Sequence, residues 1–442
     1  MQAFISFLEN RFMPIAGRVA EQKHLQAVRD GIILTMPLLI IGSLFLILGF
    51  IPVPGYDEFM ASVFGEAWRT KLLYPVNATF DVMAIIAAFG VAYRLAEKYK
   101  VDALASGAIS VSAFLLATPF QVNFTPEGAA QAVQVGGAIP VTLMGSQGLF
   151  VAMLVAILST EIYRFVIQKN IVIKLPDGVP PAVSRSFVAL IPGFFVVVAV
   201  WLIRLIIENT SFESVHNIVS QLLAVPLGAL GGSLFGAIIA VILVHLLWTA
   251  GIHGAAIVGG VMSPIWLSLM DQNRVAFQAG QELPNVITSQ FFDLWIYAGG
   301  SGATLAMVVL MLFRARSEQM KSLGRLSIAP GLFNINEPIT FGMPVVMNPL
   351  MMIPFIIAPV VLVIVSYIAM STGLVAKPSG VAVPWTTPII IGGYLATGGK
   401  ISGMVLQIVN FFIAMAIYYP FFSMWDKQKM AEEKASQTTI SA

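Results

Sequence analysis

The sequence has 442 residues, 58% of them hydrophobic and only 10% charged, against the roughly 25% charged that is usual in soluble domains. A water-soluble globule of this composition would aggregate, and a net charge of +2 gives no basis for nucleic-acid binding. The chain has no cysteine, which excludes disulfides, thiolate metal sites and cysteine-based covalent chemistry on this polypeptide.

The hydrophobicity comes in blocks. Gly31 to Tyr56, Gly128 to Thr160 and Pro338 to Ala376 contain no Asp, Glu, Lys or Arg, and each is long enough to cross a bilayer core of about 30 Å as a helix. The first block follows a mixed-polarity stretch and lacks a small-residue exit, so it reads as a retained helix rather than a cleaved signal peptide. Ten crossings are expected, near 31–50, 77–93, 102–119, 146–166, 187–207, 228–247, 254–270, 290–313, 346–370 and 401–424. The fold class is therefore an all-α polytopic membrane protein in a lipid bilayer.

Loop charges orient the chain. Arg94, Lys98 and Lys100 follow the second crossing, whereas Phe120 to Gly145 after the third carries no basic residue. Arg164, Lys169, Lys174 and Arg185 flank the turn after the fourth, and Arg314, Arg316, Lys321 and Arg325 follow the eighth. Basic loops stay cytoplasmic, so both termini are expected in the cytoplasm, with Arg69 and Lys71 in the first external loop the weakest fit. From Glu208 to Val225, Phe212, Val215, Ile218, Val219 and Leu222 recur at helical spacing among polar residues. That pattern predicts an amphipathic helix along the membrane surface and a seam between two halves.

Beyond the seam, GIHG, GGSG, NEP and PWTTP interrupt apolar segments. Broken backbone at bilayer depth is tolerated only against protein or a water-filled cavity, so these breaks predict re-entrant hairpins and a binding cavity in the second half. Glu337 is the only acidic residue between Glu318 and Asp426, and a carboxylate at a helix centre costs roughly 2.5–3.5 kcal/mol to insert. It is expected either on a functional path or capping the short helix that Pro338 would start. His253, between glycines in a charge-free stretch, is expected to face a ligand, with interhelical hydrogen bonding as its rival role. The same structural role is preferred for His245. His24 and His216 fall in surface segments and are expected to be solvated, and the four histidines show no metal-ligand spacing. No metal and no cofactor are expected. Trp248 and Trp385 beside the breaks could stack on a pyranose or sit in an interfacial belt. Asn336, Gly300 and Ser301 could supply fixed polar groups to a hydroxyl-rich ligand. Residue types alone thus reach a transporter with a carboxylate and an imidazole in its pocket. They leave open group translocation, a secondary transporter with Glu337 and His253 as its proton-carrying pair, and a passive channel.

Four motifs carry a resemblance over nearly the full length: KLPDGVPPAVSRSF at 174–187, WTAGIHG at 248–254, GLFNINEPITFGMP at 331–344 and PWTTP at 384–388. The chain resembles the membrane component, EIIC, of bacterial phosphoenolpyruvate-dependent sugar phosphotransferase systems, in the lactose, cellobiose and diacetylchitobiose family, the diacetylchitobiose branch most of all. The resemblance implies an N-terminal five-helix dimerisation domain (1–208), an amphipathic linker helix (209–226) and a C-terminal sugar-binding domain with re-entrant hairpins (227–442). It implies a homodimer in the bacterial cytoplasmic membrane that takes up a disaccharide. A separate EIIB protein carrying a phosphocysteine would phosphorylate the bound sugar. Glu337 would accept the hydroxyl proton, with His253 holding or polarising the same hydroxyl. A carboxylate stripped of water is a better base, and phosphoryl transfer is mostly positioning and charge stabilisation. The cytoplasmic loop with Arg314, Arg316, Lys321 and Arg325 is the expected EIIB dock.

Overall fold

The computed structural model describes residues 8–51, 53–126, 131–173, 175–176, 179–343, 345 and 348–441. Lys174, Asp177 and Gly178 of the first motif, Pro344 of the third, residues 127–130, and Val346 and Met347 at the start of the ninth expected crossing lie outside the described residues. Among the described residues, seven helices are long and apolar enough to cross a membrane: Lys23–Gly49, Tyr74–Tyr99, Ser146–Gln168, Val183–Glu208, Gly254–Gln278, Pro349–Ser371 and Ile401–Ala435. An eighth span is reached only if Val215–Gly231 and Leu234–Thr249, bent by 79° at the break between them, are taken as one; the crossing expected at 228–247 falls mainly on the second, which has 16 residues.

The other two expected crossings are shorter than expected. Ala103–Ala117 has 15 residues and Leu305–Arg314 has 10, which at 1.5 Å per residue give about 22 Å and about 15 Å of helix. The first stops at Thr118 and Pro119 and leads into the one sheet among the described residues, an antiparallel hairpin of Gln121–Phe124 with Val133–Gly136. The second is preceded by a π-helix, Phe291–Ile296, and a turn in which Gly299, Gly300, Gly302 and Ala303 all have positive φ.

Helices of the first half pack through small residues. A Cβ on Gly31 would lie 2.4 Å from the Val91 backbone nitrogen, and one on Gly90 would lie 2.7 Å from the Gly31 oxygen. With Ala84, Ala87, Ala88, Ala92 and Ala113 fully buried around them, the backbones come into direct contact, the usual packing solution in lipid. Polar pairs join helix ends that the alternating count puts on one side of the membrane. Lys98 Nζ is 2.7 Å from Gln26 Oε1 and 3.7 Å from Asp30, and the Arg316 and Ser317 amides donate to Asp426. On the other side Lys377 pairs with Glu282 at 3.4 Å.

The halves meet through Arg274, which is 3% exposed. Its Nε donates to Asp271 (2.6 Å) and its Nη2 to Asp81 in the second crossing (2.8 Å), while Ser146 Oγ donates to the other Asp271 oxygen (2.6 Å). This buried network lies just past the expected end of the 254–270 crossing, because the helix runs on to Gln278.

Two histidine expectations are corrected. His216 is 4% exposed, shares a hydrogen bond with Thr118 (2.9 Å) and lies edge-on to Phe114, because its helix turns the Val215–His216 face onto the bundle. His24 is half-buried and held by Glu161 at 2.8 Å; that carboxylate also accepts from Tyr99 and Arg164. The helix expected over 208–225 begins only at Val215, after the non-helical residues 209–214, and runs past 225 to Gly231, because Pro226 sits in the first turn of a new helical segment after the π-turn Ser220–Ala224. There its missing N–H costs little.

Candidate functional site

Between the first crossing and the broken segments of the second half lies a cavity of about 780 Å³, within the range of about 300–1,000 Å³ typical of small-molecule sites. His253, Glu337, Trp248, Trp385, Asn336, Gly300 and Ser301 all line it, so the structure brings the residues expected to meet the ligand to one place.

His253 is set by the glycines beside it. Gly251 has φ +78°, and a Cβ on Gly254 would fall 1.9 Å from the Val244 oxygen, so only glycine lets the chain turn there. His253 then caps the helix Gly254–Gln278, its Nδ1 accepting from the Ala256 amide at 3.1 Å. With Nδ1 accepting, a neutral ring carries its proton on Nε2, and Nε2 faces Glu337 Oε1 at 4.0 Å. The Trp248 ring lies 4.4 Å beneath the imidazole, centroid to centroid. Trp248 is 2% exposed, and its indole N–H has no partner among the described residues. It is buried against the site rather than placed in an interfacial belt.

Glu337 opens the short helix Glu337–Gly342, with Pro338 in the first turn. It sits at a helix start and lines the cavity, but no side-chain hydrogen bond caps that helix among the described residues. The two side chains are 54% (His253) and 48% (Glu337) exposed, so Glu337 is not stripped of water as expected, because the cavity is open on this side. The 4.0 Å separation is too long for a direct hydrogen bond, yet it fits one hydroxyl oxygen about 2.8 Å from each group. Such a hydroxyl would accept from His253 Nε2 and donate its proton to Glu337.

Asn334, not singled out from the sequence, organises the opposite wall. It is 5% exposed with φ +62°. Its Oδ1 accepts from Gly299 N (2.7 Å), and its Nδ2 donates to the Trp385 oxygen (2.6 Å) and the Thr387 oxygen (3.1 Å). One side chain thereby ties GGSG to PWTTP and fixes Trp385. Asn336 commits its Nδ2 to the Ser301 oxygen and Thr340 Oγ1, both at 3.1 Å. Gly300 packs against both asparagines; a Cβ there would fall 2.7 Å from the Asn334 oxygen and the Asn336 Cβ. His245 takes the structural role preferred for it, with Nδ1 on the Val241 oxygen and Nε2 accepting from Gly302 N at 2.8 Å.

Two further features escaped the sequence reading. Asp293, in the π-helix, lines the cavity; it lies inside the expected 290–313 crossing, where the cost argument applied to Glu337 would have found it. Arg29 and Asp30, at the start of the first crossing, close the cavity from the first half. Charged residues flanking a crossing look like topology signals, and nothing local marked them.

The chain is similar to known proteins over nearly its whole length. The family description "Phosphotransferase system, EIIC" matches residues 29–359. The chain is 74% identical to the PTS system cellobiose-specific EIIC component of Geobacillus stearothermophilus over all of this chain and 98% of that protein. It is 40% identical to the oligo-beta-mannoside-specific EIIC component of Bacillus subtilis (strain 168), covering 96% of this chain and 94% of that one. It also superposes on the crystal structure of ChbC, the IIC component from the N,N'-diacetylchitobiose-specific phosphotransferase system. There the TM-score is 0.94 at 69% identity, over 97% of this chain and 99% of that one. With the multi-pass helical fold and the cavity built on its broken segments, these matches show that the chain belongs to the EIIC family of the phosphotransferase system.

Proposed function

We propose that this protein takes up a β-linked disaccharide of the cellobiose or diacetylchitobiose kind and presents one of its hydroxyls to a phosphocysteine-bearing EIIB. The observation that carries the reading is the 4.0 Å gap between His253 Nε2 and Glu337 Oε1, sized for a single hydroxyl. In the reaction, that oxygen attacks phosphorus, its proton passes to Glu337, the S–P bond breaks and the electron pair leaves on the EIIB sulfur as thiolate. His253 holds the hydroxyl in line by donating to it. Trp248, Trp385, Asn336, Gly300 and Ser301 bind the rest of the sugar, and Asp293 adds a second acceptor for its hydroxyls. Similarity to proteins named for cellobiose and diacetylchitobiose supports the substrate class. Membership in a phosphotransferase family leaves the proton-coupled reading of the Glu337–His253 pair without support.

In this reading, residues 1–208 form the dimerisation framework, with the lipid-ready apolar face of Val183–Glu208, including Phe194, Trp201 and Ile206, available to a second copy. Residues 209–226 link it to the sugar domain at 227–442. Both termini face the cytoplasm. EIIB docks on the exposed Arg314, Arg316 and Arg325; Lys321 is partly occupied by Glu318 at 2.7 Å.

The test is uptake of radiolabelled cellobiose and diacetylchitobiose into vesicles holding this chain, with and without phosphorylated EIIB, with chemical analysis of the accumulated sugar. Phospho-sugar that requires EIIB is the expected product. Free sugar accumulating with a proton gradient would sink the reading.

A further inference from the structure

The group being transferred carries about −1.5 to −2 charges, and the cavity that must receive it holds Glu337 and Asp30. A phosphoryl group brought beside carboxylates is repelled unless a cation meets it, and phosphoryl-transfer sites rely on such cations for most of their rate. Among the described residues lining this cavity, Arg29 is the only lysine or arginine. The basic loop of Arg314, Arg316 and Arg325 is not part of the cavity wall, so it can attract EIIB without neutralising charge at the reacting hydroxyl.

Three features suit Arg29 to the task. It is held ready rather than loose: Nε donates to Asp30 Oδ1 at 2.7 Å, and Nη2 lies 2.7 Å from the same oxygen. Nη1 has no partner among the described residues, and the side chain is 33% exposed, which leaves part of the guanidinium fork open for phosphoryl oxygens. It also packs against the helix that starts beside His253. Arg29 leans on Gly260, where an added Cβ would sit 3.4 Å from the Arg29 Cβ, and Gly260 belongs to the helix that His253 caps. Finally, Asp30 beside it lies 3.7 Å from Lys98, at the end of the second crossing, so Arg29 is on the basic face from which a cytoplasmic donor would arrive.

We infer that Arg29 is a catalytic residue of the transfer, binding the phosphoryl oxygens as they pass from the EIIB sulfur to the sugar hydroxyl held by His253 and Glu337. The inference rests on the group-translocation reading above. It adds that the first half supplies a functional group to the reaction, so the site is complete only where Arg29 of the framework faces Glu337 of the sugar domain. Asp30 holds the guanidinium between turnovers and gives way to the phosphoryl group, a stronger and doubly charged partner.

The experiment compares wild type, Arg29→Gln, Arg29→Lys, Asp30→Asn and Glu337→Gln as full chains in proteoliposomes. Three quantities are measured: exchange of free labelled cellobiose or diacetylchitobiose, phospho-sugar formation at saturating phosphorylated EIIB and sugar, and affinity for the phospho-sugar product. Arg29→Gln is expected to exchange free sugar within threefold of wild type, to form phospho-sugar at least 100-fold more slowly, and to bind the phospho-sugar at least tenfold more weakly. Arg29→Lys restores part of both losses, and Asp30→Asn tightens product binding. Phospho-sugar formation within threefold of wild type in Arg29→Gln, with Glu337→Gln inactive, overturns the role of Arg29 and leaves the proposed function standing. Equal loss of free-sugar exchange and phosphorylation in Arg29→Gln also overturns it, since that marks a structural role. Failure of the wild type to make phospho-sugar at all removes the group-translocation reading and this inference with it.

Discussion

The two halves of the molecule solve the same problem, satisfying a backbone in lipid, by different means. In the first half most helices are continuous, each satisfying its own backbone, and the remaining task is close packing, met by Gly31, Gly90 and buried alanines. In the second half the chain is repeatedly broken, and buried amide side chains take up the freed groups. Asn273 reaches the Asn285 and Pro378 oxygens, Gln290 pairs with Val383, Gln407 accepts from Ile390 and Gly393 and donates to Leu294, and Asn410 donates to the Trp295 oxygen. An amide side chain offers both a donor and an acceptor, which suits it to replace a missing backbone partner. The cavity lies where that second kind of construction faces the first.

The comparison can be broken at several points. The largest effect is expected at the chemistry itself: Glu337→Gln should lower phospho-sugar formation by about 10²–10⁴-fold, the usual contribution of a general base, with free-sugar binding changed only a few-fold. A mutant that keeps phosphorylating would remove Glu337 from the reaction. Next comes the joint between the halves. Arg274→Met leaves Asp271 and Asp81 without their cation and should cost roughly 3–5 kcal/mol, read as a lowered unfolding midpoint; an unchanged midpoint with altered uptake would instead make this network part of the transport motion. Asn334→Ala should cost roughly 2–4 kcal/mol through unpaired backbone groups and weaken sugar binding by freeing the Trp385 loop, whereas a stability loss without weaker binding would show that Trp385 needs no such tether. Gly31→Ala forces the first and second crossings apart, an overpacking cost of roughly 1–3 kcal/mol. Its expected signature is lower stability with sugar affinity intact, the converse of Asn334→Ala. The smallest change is expected for Asp293→Asn, which keeps the shape but replaces one carboxyl oxygen with an amide donor; sugar affinity should fall by about three- to tenfold, since a hydrogen bond is worth about 0.5–1.5 kcal/mol. No change in affinity would remove Asp293 from the sugar site.

How well each site residue could be read from the sequence followed the price of hiding it. A carboxylate in an apolar block and a histidine between glycines are costly or unusual wherever they are placed, so Glu337 and His253 stood out; Asp293 obeyed the same rule and was passed over inside a supposed continuous crossing. Asn334 costs nothing in a loop, and its importance comes from three partners at positions 299, 385 and 387 that no local pattern connects. His216 was misplaced for a related reason: the helical spacing marked a helix, found from Val215 on, but could not say which side the bundle would cover.

By itself the sequence determined that this is a multi-pass helical membrane protein, where most of its crossings lie and where its second half must break. Those properties follow from local composition and from the free energy of moving each segment out of water. Only the tertiary structure decided that residues 29, 253, 293, 337 and 385 share one cavity, that His253 and Glu337 stand 4.0 Å apart and that the Asn336 donors are already committed. Those distances are set by packing between segments far apart in the chain, where close contact, glycine clearance and buried hydrogen bonds select one arrangement from many that local hydrophobicity allows.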